Sequence, residues 1–391
     1  MKRTHRSLVF GVLALVLSAG AVLVTHRHRP DQRSVVPPSL WKVEAPLTTI
    51  GVPDGPLPYV FGQVSAAGTL SDGSIFVADA GFSELRIYDQ RGKHRLVVGR
   101  KGRGPGEFSR IIDARRIEGD TIVVLDRERL RRTWVAPDGG IARTISADPD
   151  ALPPGGFPRM LVGSDGVLLE VYLAKDVQPG LSRPLADLFL LRGRARIDTL
   201  GQVALNDVYR PKDNPGNAVL PPLARLPAYA VANDVVYVGD MEAPHIYAYT
   251  LGRETRRIPT HVKPRYVDRG DAAAIRSHLV DRVARNQRLS PQQRRTIEKM
   301  DIPSRFPDYA SLAVALNGDL WLEEYVPSHE RSLAAGISRW NVISLEGNQL
   351  ATVELPSGVR LLEIAENHLL WLFKDQESAT PAIALAPLTR R

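Results

Sequence analysis

Cysteine is absent from all 391 residues. Its absence excludes disulfides, thiolate metal sites and a cysteine nucleophile, and it removes the residue that would carry lipid in an exported lipoprotein. Other catalytic text is missing as well. There is no Gly-x-Ser-x-Gly elbow, and the glycine-rich GRKGRGPGEF at residues 99–108 lacks the Lys-Ser or Lys-Thr that completes a phosphate loop. Nine histidines, among them His245, His261, His278 and His368, never pair at the spacing of a zinc motif. No metal site or cofactor is expected. What is present, 43% apolar and 24% charged residues, describes an ordinary globular chain rather than a disordered one.

Only one long apolar run occurs. Lys2, Arg3 and Arg6 precede an apolar or small stretch at residues 8–24, and Thr25, His26, Arg27, His28 and Arg29 restore polarity. Its 17 residues exceed a usual signal-peptide core and just reach the length of a spanning helix. We read residues 1–29 as an uncleaved signal anchor, with a cleaved signal as the alternative, and expect the rest on the periplasmic or extracellular side of a single-pass cell-membrane protein. Residues 30–44, with Pro30, Pro37 and Pro38, read as a spacer. This export-like start argues against nucleic acid as the partner of a chain with net charge +8.

Beyond the spacer, short turns each lead into an apolar run: Ser71-Asp72-Gly73-Ser74 before IFVAD, Glu118-Gly119-Asp120 before TIVVLD, Ser164-Asp165-Gly166 before VLLEVY, Ala232-Asn233-Asp234 before VVYVGD, Asn317-Gly318-Asp319 before LWLEEY and Ala365-Glu366-Asn367 before LLWLFKD. A repeat of roughly 46 to 49 residues with four strands per unit is the pattern of a β-propeller. The last unit is one strand short. Leu47-Thr48-Thr49-Ile50-Gly51 resembles the outer strand Leu96-Val97-Val98-Gly99, so residues 46–51 are expected to supply the missing strand and close the ring. The expected fold is all-β, a six-bladed β-propeller over residues 45–391 closed by an N-terminal strand. Surplus residues at 204–226 and 261–305 are insertions, the second helical over 271–287 and from Ser290-Pro291 to Met300. Both join an outer strand to the next inner one, which places them over one mouth of the central channel.

GRKGRGPGEF at residues 99–108, the hairpin text Asp72 to Asp79 and LRIYD at residues 85–89 together resemble the NHL repeat; Val124-Leu125-Asp126 and Val238-Gly239-Asp240 match in part. The whole plan is similar to exported bacterial six-bladed β-propeller proteins, many of unassigned function. That resemblance implies a fold, since propellers serve as enzymes, binders and scaffolds.

Two constellations carry candidate chemistry. Asp79, Asp126, Asp240, Glu324 and Asp375 recur where the second strand of a unit ends. Such carboxylates can ring a Ca²⁺ ion, but they also cap turns by accepting backbone N–H bonds, and capping is the reading adopted here. At the start of each inner strand stand Gln63, Arg110, Arg159, Tyr229, Tyr309 and Arg360. These can clamp a carboxylate, phosphate or acidic sugar, or the arginines can pair with blade carboxylates such as Asp308 and Glu107. Basic charge gathers nearby, with 11 Lys or Arg against 5 Asp or Glu in residues 261–305. The expected function is a membrane-tethered binding or scaffold module, its partner an anionic small molecule, an acidic glycan or a protein. The alternative is a propeller hydrolase or lyase of the gluconolactonase, strictosidine-synthase or amidating-lyase kind with a channel metal.

Overall fold

The computed structural model describes residues 39–390 except 173–177, 213–215, 217, 243, 287–289, 329, 331–335 and 376–377. The expected signal anchor lies outside the described residues, and none of the described helices is long and apolar enough to cross a membrane.

The chain is an all-β propeller. Four separate four-stranded antiparallel sheets run from Val64–Thr69 to His94–Val98, from Ile111–Arg116 to Ile141–Ile145, from Gly156–Val162 to Arg196–Ala204, and from Ala228–Ala232 to Arg256–Pro259. A nine-stranded sheet contains a fifth set, Ser311–Val314 to Gln349–Pro356, and a sixth, Arg360–Ile364, His368–Lys374 and Pro381–Thr389. The hairpin turns obey local chemistry. Asn233 and Asp234 both take positive φ, 47° and 63°, in the two-residue turn that pairs Ala232 with Val235. Asp72 folds its own turn by accepting the Ser74 N–H at 2.9 Å.

Unbroken apolar runs, rather than alternating ones, mark strands buried on both faces. In Ile122–Asp126, Ile122 and Val124 pack against the first sheet, whereas Val123 and Leu125 pack against the third. In Ile75–Asp79, Phe76 and Ala78 face the second sheet, whereas Ile75 and Val77 meet Leu370 and Ile383 of the sixth set. Seams of this kind join each set to the next in chain order, and the last returns to the first.

Two N-terminal strands complete the last seam. β2, Thr48–Ile50, pairs antiparallel with Pro381–Thr389, Thr48 opposite Leu385 and Ile50 opposite Ile383, as the likeness between residues 46–51 and the outer strand of the first unit predicts. β1, Ser39–Val43, was expected within the spacer. It forms a strand instead, parallel to Gln349–Pro356 through Ser39–Ala351 to Trp41–Val353, and antiparallel to Pro381–Thr389 at Val43–Leu388. Its five residues follow Pro37 and Pro38 directly and carry no turn signal of their own that would set a strand apart from the expected spacer. Trp41 drives the insertion: only 9% exposed, it lies 6.2 Å from Trp321 between ring centroids, with the Arg390 guanidinium 4.5 Å from its own ring centroid.

The insertions also form a unit. Helices α1, Arg269–Asn286, and α2, Pro291–Lys299, match the expected helical stretch. Leu223 of the first insertion, Ile275 of α1 and Phe306 share one small core, and Arg225 clamps buried Asp207 through two bonds of 2.9 and 2.8 Å. Trp41→Ala is expected to lower unfolding free energy by about 3–5 kcal/mol, the cost of emptying a buried tryptophan site. Leu40→Ala, at a 65% exposed position on the same strand, is expected to change it by less than about 0.5 kcal/mol. Chemical denaturation of both variants checks the pair.

Candidate functional site

The mouth begins with capped turns. Asp126, wholly buried, accepts N–H bonds from Ser109 at 2.7 Å, Arg110 at 3.1 Å and Glu128 at 3.2 Å, takes the Ser109 hydroxyl, and pairs with Arg131 at 2.7 Å. Asp79 does the same for Gly62, Gln63, Gly81 and Phe82. Asp240 and Asp375 cap more locally, through the N–H groups of Glu242 and Ser378, while exposed Glu324 lies 3.7 Å from Arg339 and its carboxylate accepts no backbone N–H among the described residues. Among the described residues no three His, Asp or Glu side chains come together as metal ligands. Burial alone would raise the Asp126 carboxyl, but the bonds from Ser109, Arg110 and Arg131 hold it below the usual carboxylate range.

The glycine-rich segment is a turn between sheets. Arg100 and Gly102 exchange backbone bonds with Phe108, and Glu107 accepts from Gly104 and Arg100. Phe108 is fully buried against Gly99, where a Cβ would fall 2.4 Å from its ring, so only glycine fits at this φ of 89°.

Two of the expected site residues, Arg159 and Tyr229, meet where the third and fourth sheets adjoin, and Arg110 of the second sheet is linked to them through Arg127. The inner strand of the third sheet is bulged: Pro158 pairs with Leu169 and Met160 with Leu168, leaving Arg159 without an opposite residue. A bulge re-aims its extra side chain. Arg159 turns to Glu170, donating from Nε at 3.0 Å and from Nη2, and its guanidinium stands 5.5 Å from the ring of Tyr229. The Tyr229 hydroxyl donates to the same carboxylate, and burial, then that bond, push its pKa up. Phe157, 43% exposed, has the Arg159 guanidinium 5.0 Å and the Arg127 guanidinium 5.2 Å from its ring centroid. Arg127 is tied to Arg110 by its N–H to the Arg110 carbonyl at 3.0 Å. Both are exposed, and among the described residues no carboxylate lies within ion-pair distance of either.

The other three go elsewhere. Gln63 is exposed in the first sheet, at the position equivalent to Arg110. Arg360 is a strut, donating from Nη2 to the carbonyls of Val64 at 2.8 Å and Ser65 at 3.3 Å. Tyr309 differs most from the expectation. It is 1% exposed, its hydroxyl accepts from the Met241 N–H at 3.2 Å, and it fills the space left by Gly239, where a Cβ would lie 1.9 Å from that oxygen. Asp308 and Glu107, the carboxylates weighed as partners for these arginines, pair with Arg305 and Arg100 instead.

Sequence reasoning missed Arg127, Phe157 and Glu170 as site groups. A lone glutamate inside the apolar run VLLEVY was the available signal, because an unpaired carboxylate is costly to bury. It also missed a lower tier of cross-ties: Asp113 accepts from the Leu161 N–H at 2.8 Å, and Arg115 donates to the Val231 carbonyl at 2.8 Å. Burial raises the Asp113 carboxyl, while the charges of Arg115 and Arg360 pull it back.

Asp126→Asn is expected to cost about 3–5 kcal/mol at neutral pH, because it strands Arg131 without its buried partner. A carboxyl with a lowered folded pKa contributes stability above its unfolded value and loses it as pH falls through the folded value. The variant should therefore show a shallower loss of stability on acidification than the parent, measured by thermal unfolding across the acid range.

Residues 61–130 match the model of a family described as "6-bladed beta-propeller". No curated protein matches the chain in sequence. Among solved structures, a member of the DUF4221 family from Bacteroides vulgatus aligns with a TM-score of 0.52 at 9% identity, covering 90% of this chain and 99% of that one. A Bacteroides fragilis protein provisionally named as exported aligns at 0.45 with 9% identity, over 90% and 96%. Virginiamycin B lyase of Staphylococcus aureus aligns at 0.38 with 11% identity, over 86% and 82%. Together with the sheets and seams, the likeness above a TM-score of one half identifies the chain as a β-propeller protein, similar over residues 61–130 to the six-bladed family.

Proposed function

We propose that this chain is an extracytoplasmic six-bladed propeller that binds an anionic ligand at the mouth, on Arg110, Arg127 and Arg159 around Phe157. Counting the two halves of the nine-stranded sheet as separate blades gives the six, with β2 as the outer strand of the last. The basic residues 2, 3 and 6 followed by the apolar run at 8–24 support export and tethering. The observation that carries the ligand reading is a charge imbalance. Arg159 is matched by Glu170, whereas Arg127 stands exposed beside a half-open aromatic ring and Arg110, exposed too, is joined to it through the backbone, the Asp126 carboxylate between them being consumed by its turn. Guanidinium groups beside an exposed ring suit a carboxylate or phosphate attached to an apolar or planar body.

Titration calorimetry with citrate, phosphate and galacturonate tests this reading. Binding of at least one probe is expected, with Arg127→Ala or Arg110→Ala costing about 1.5–3 kcal/mol of affinity, the scale of a hydrogen bond to a charged group. Neither substitution should lower the ligand-free melting temperature, since neither guanidinium holds a protein carboxylate. A lower melting temperature with unchanged anion binding would make these arginines struts and refute the proposal.

A further inference from the structure

A cavity of about 500 Å³ opens on the flank of the fifth set of strands and shares no lining residue with the Phe157 cluster. That volume lies in the range of small-molecule sites, roughly 300–1,000 Å³. Leu322 pairs with Asn341, and Asn341 with Thr352, so the three side chains form one row across three strands. Two residues away on the same face, Leu320 and Ile343 pack into the apolar seam with the fourth sheet. The row thus changes from apolar to amide and hydroxyl where the cavity begins.

Hydrogen-bonding capacity in that row is only partly used. The Asn341 Oδ1 accepts from Gln349 Nε2 at 3.1 Å and from the Thr352 hydroxyl at 3.4 Å. Asn341 Nδ2 and Gln349 Oε1 are left as a donor and an acceptor with no hydrogen-bond partner among the described residues. An anion supplies acceptors alone and a cation donors alone, whereas a hydroxyl group supplies both. Two charged groups of the lining are matched within the protein, Asp308 by Arg305 at 2.5 and 2.6 Å and Arg339 by Glu324 and Glu354 at 3.7 and 3.2 Å; Glu323 completes the charged lining. Leu322 and Val262 add an apolar edge.

We infer that this cavity binds a neutral, hydroxyl-rich small molecule of the sugar class, with Asn341 and Gln349 reading its hydroxyls and the half-buried Val262 packing on its apolar ring face. The inference is independent of the anion site at the mouth. Saturation-transfer NMR on the full chain, with glucose, galactose and N-acetylglucosamine as probes, tests it. Transfer to at least one sugar is expected, weakened about tenfold, the scale of one lost hydrogen bond, in Asn341→Leu and in Gln349→Ala. Arg127→Ala should leave it unchanged. Gln349 is exposed, so its variant decides the matter even where Asn341→Leu fails to fold. No transfer to any of the three sugars, or transfer that Gln349→Ala does not weaken, overturns the inference.

Discussion

Pairing of β1 and β2 with Pro381–Thr389 is the contact on which the rest of the fold depends. Each set of strands buries both faces against its neighbours, so a linear row would leave one apolar face bare at each end. Bringing the first sheet against the sixth set covers Ile75 and Val77 with Leu370 and Ile383, and β2 adds Ile50 to the same seam. β1 then fills the adjoining gap, taking the free edge of Gln349–Pro356 and placing Trp41 beside Trp321. Two exposed edges become internal, which removes a template for strand addition by other chains.

A closed frame of this kind fixes where the inner strands start, and that in turn fixes the chemistry of the mouth. Asp79 and Asp126 spend their oxygens on backbone N–H groups at the turns, because those donors have no ladder partner. Carboxylates are thereby withdrawn to the interior while arginines remain outside. The bulge at Arg159 swings a guanidinium onto Glu170 and links the third sheet to Tyr229 of the fourth. At this place Arg110 and Arg127 have no ion-pair partner among the described residues, and Arg127 lies beside the exposed face of Phe157.

The repeat was legible because its signals are local. Turns such as Asn233-Asp234 and runs such as IFVAD announce a hairpin within ten residues, and the likeness of residues 46–51 to an outer strand announced β2. β1 was not legible, since SLWKV is a short run directly after a Pro-Pro pair and its partners lie more than 300 positions away. For the site, spacing within the repeat singled out Arg159 and Tyr229, which share the Glu170 carboxylate, and Arg110, whose carbonyl accepts from the Arg127 N–H. Equivalent spacing also singled out Tyr309 and Arg360, and there it misled. Repeat position specifies where a backbone starts, whereas packing against Gly239 or reach to the Val64 carbonyl decides what the side chain does.

Hydrogen exchange followed by mass spectrometry on the full chain measures closure most directly. If β1 and β2 are part of one cooperative unit, amides of residues 39–50 exchange only with global unfolding and match the protection of Pro381–Thr389. Exchange of residues 39–50 within seconds, while Pro381–Thr389 stays protected, would show a strand laid on a ring that closes without it and would contradict the account.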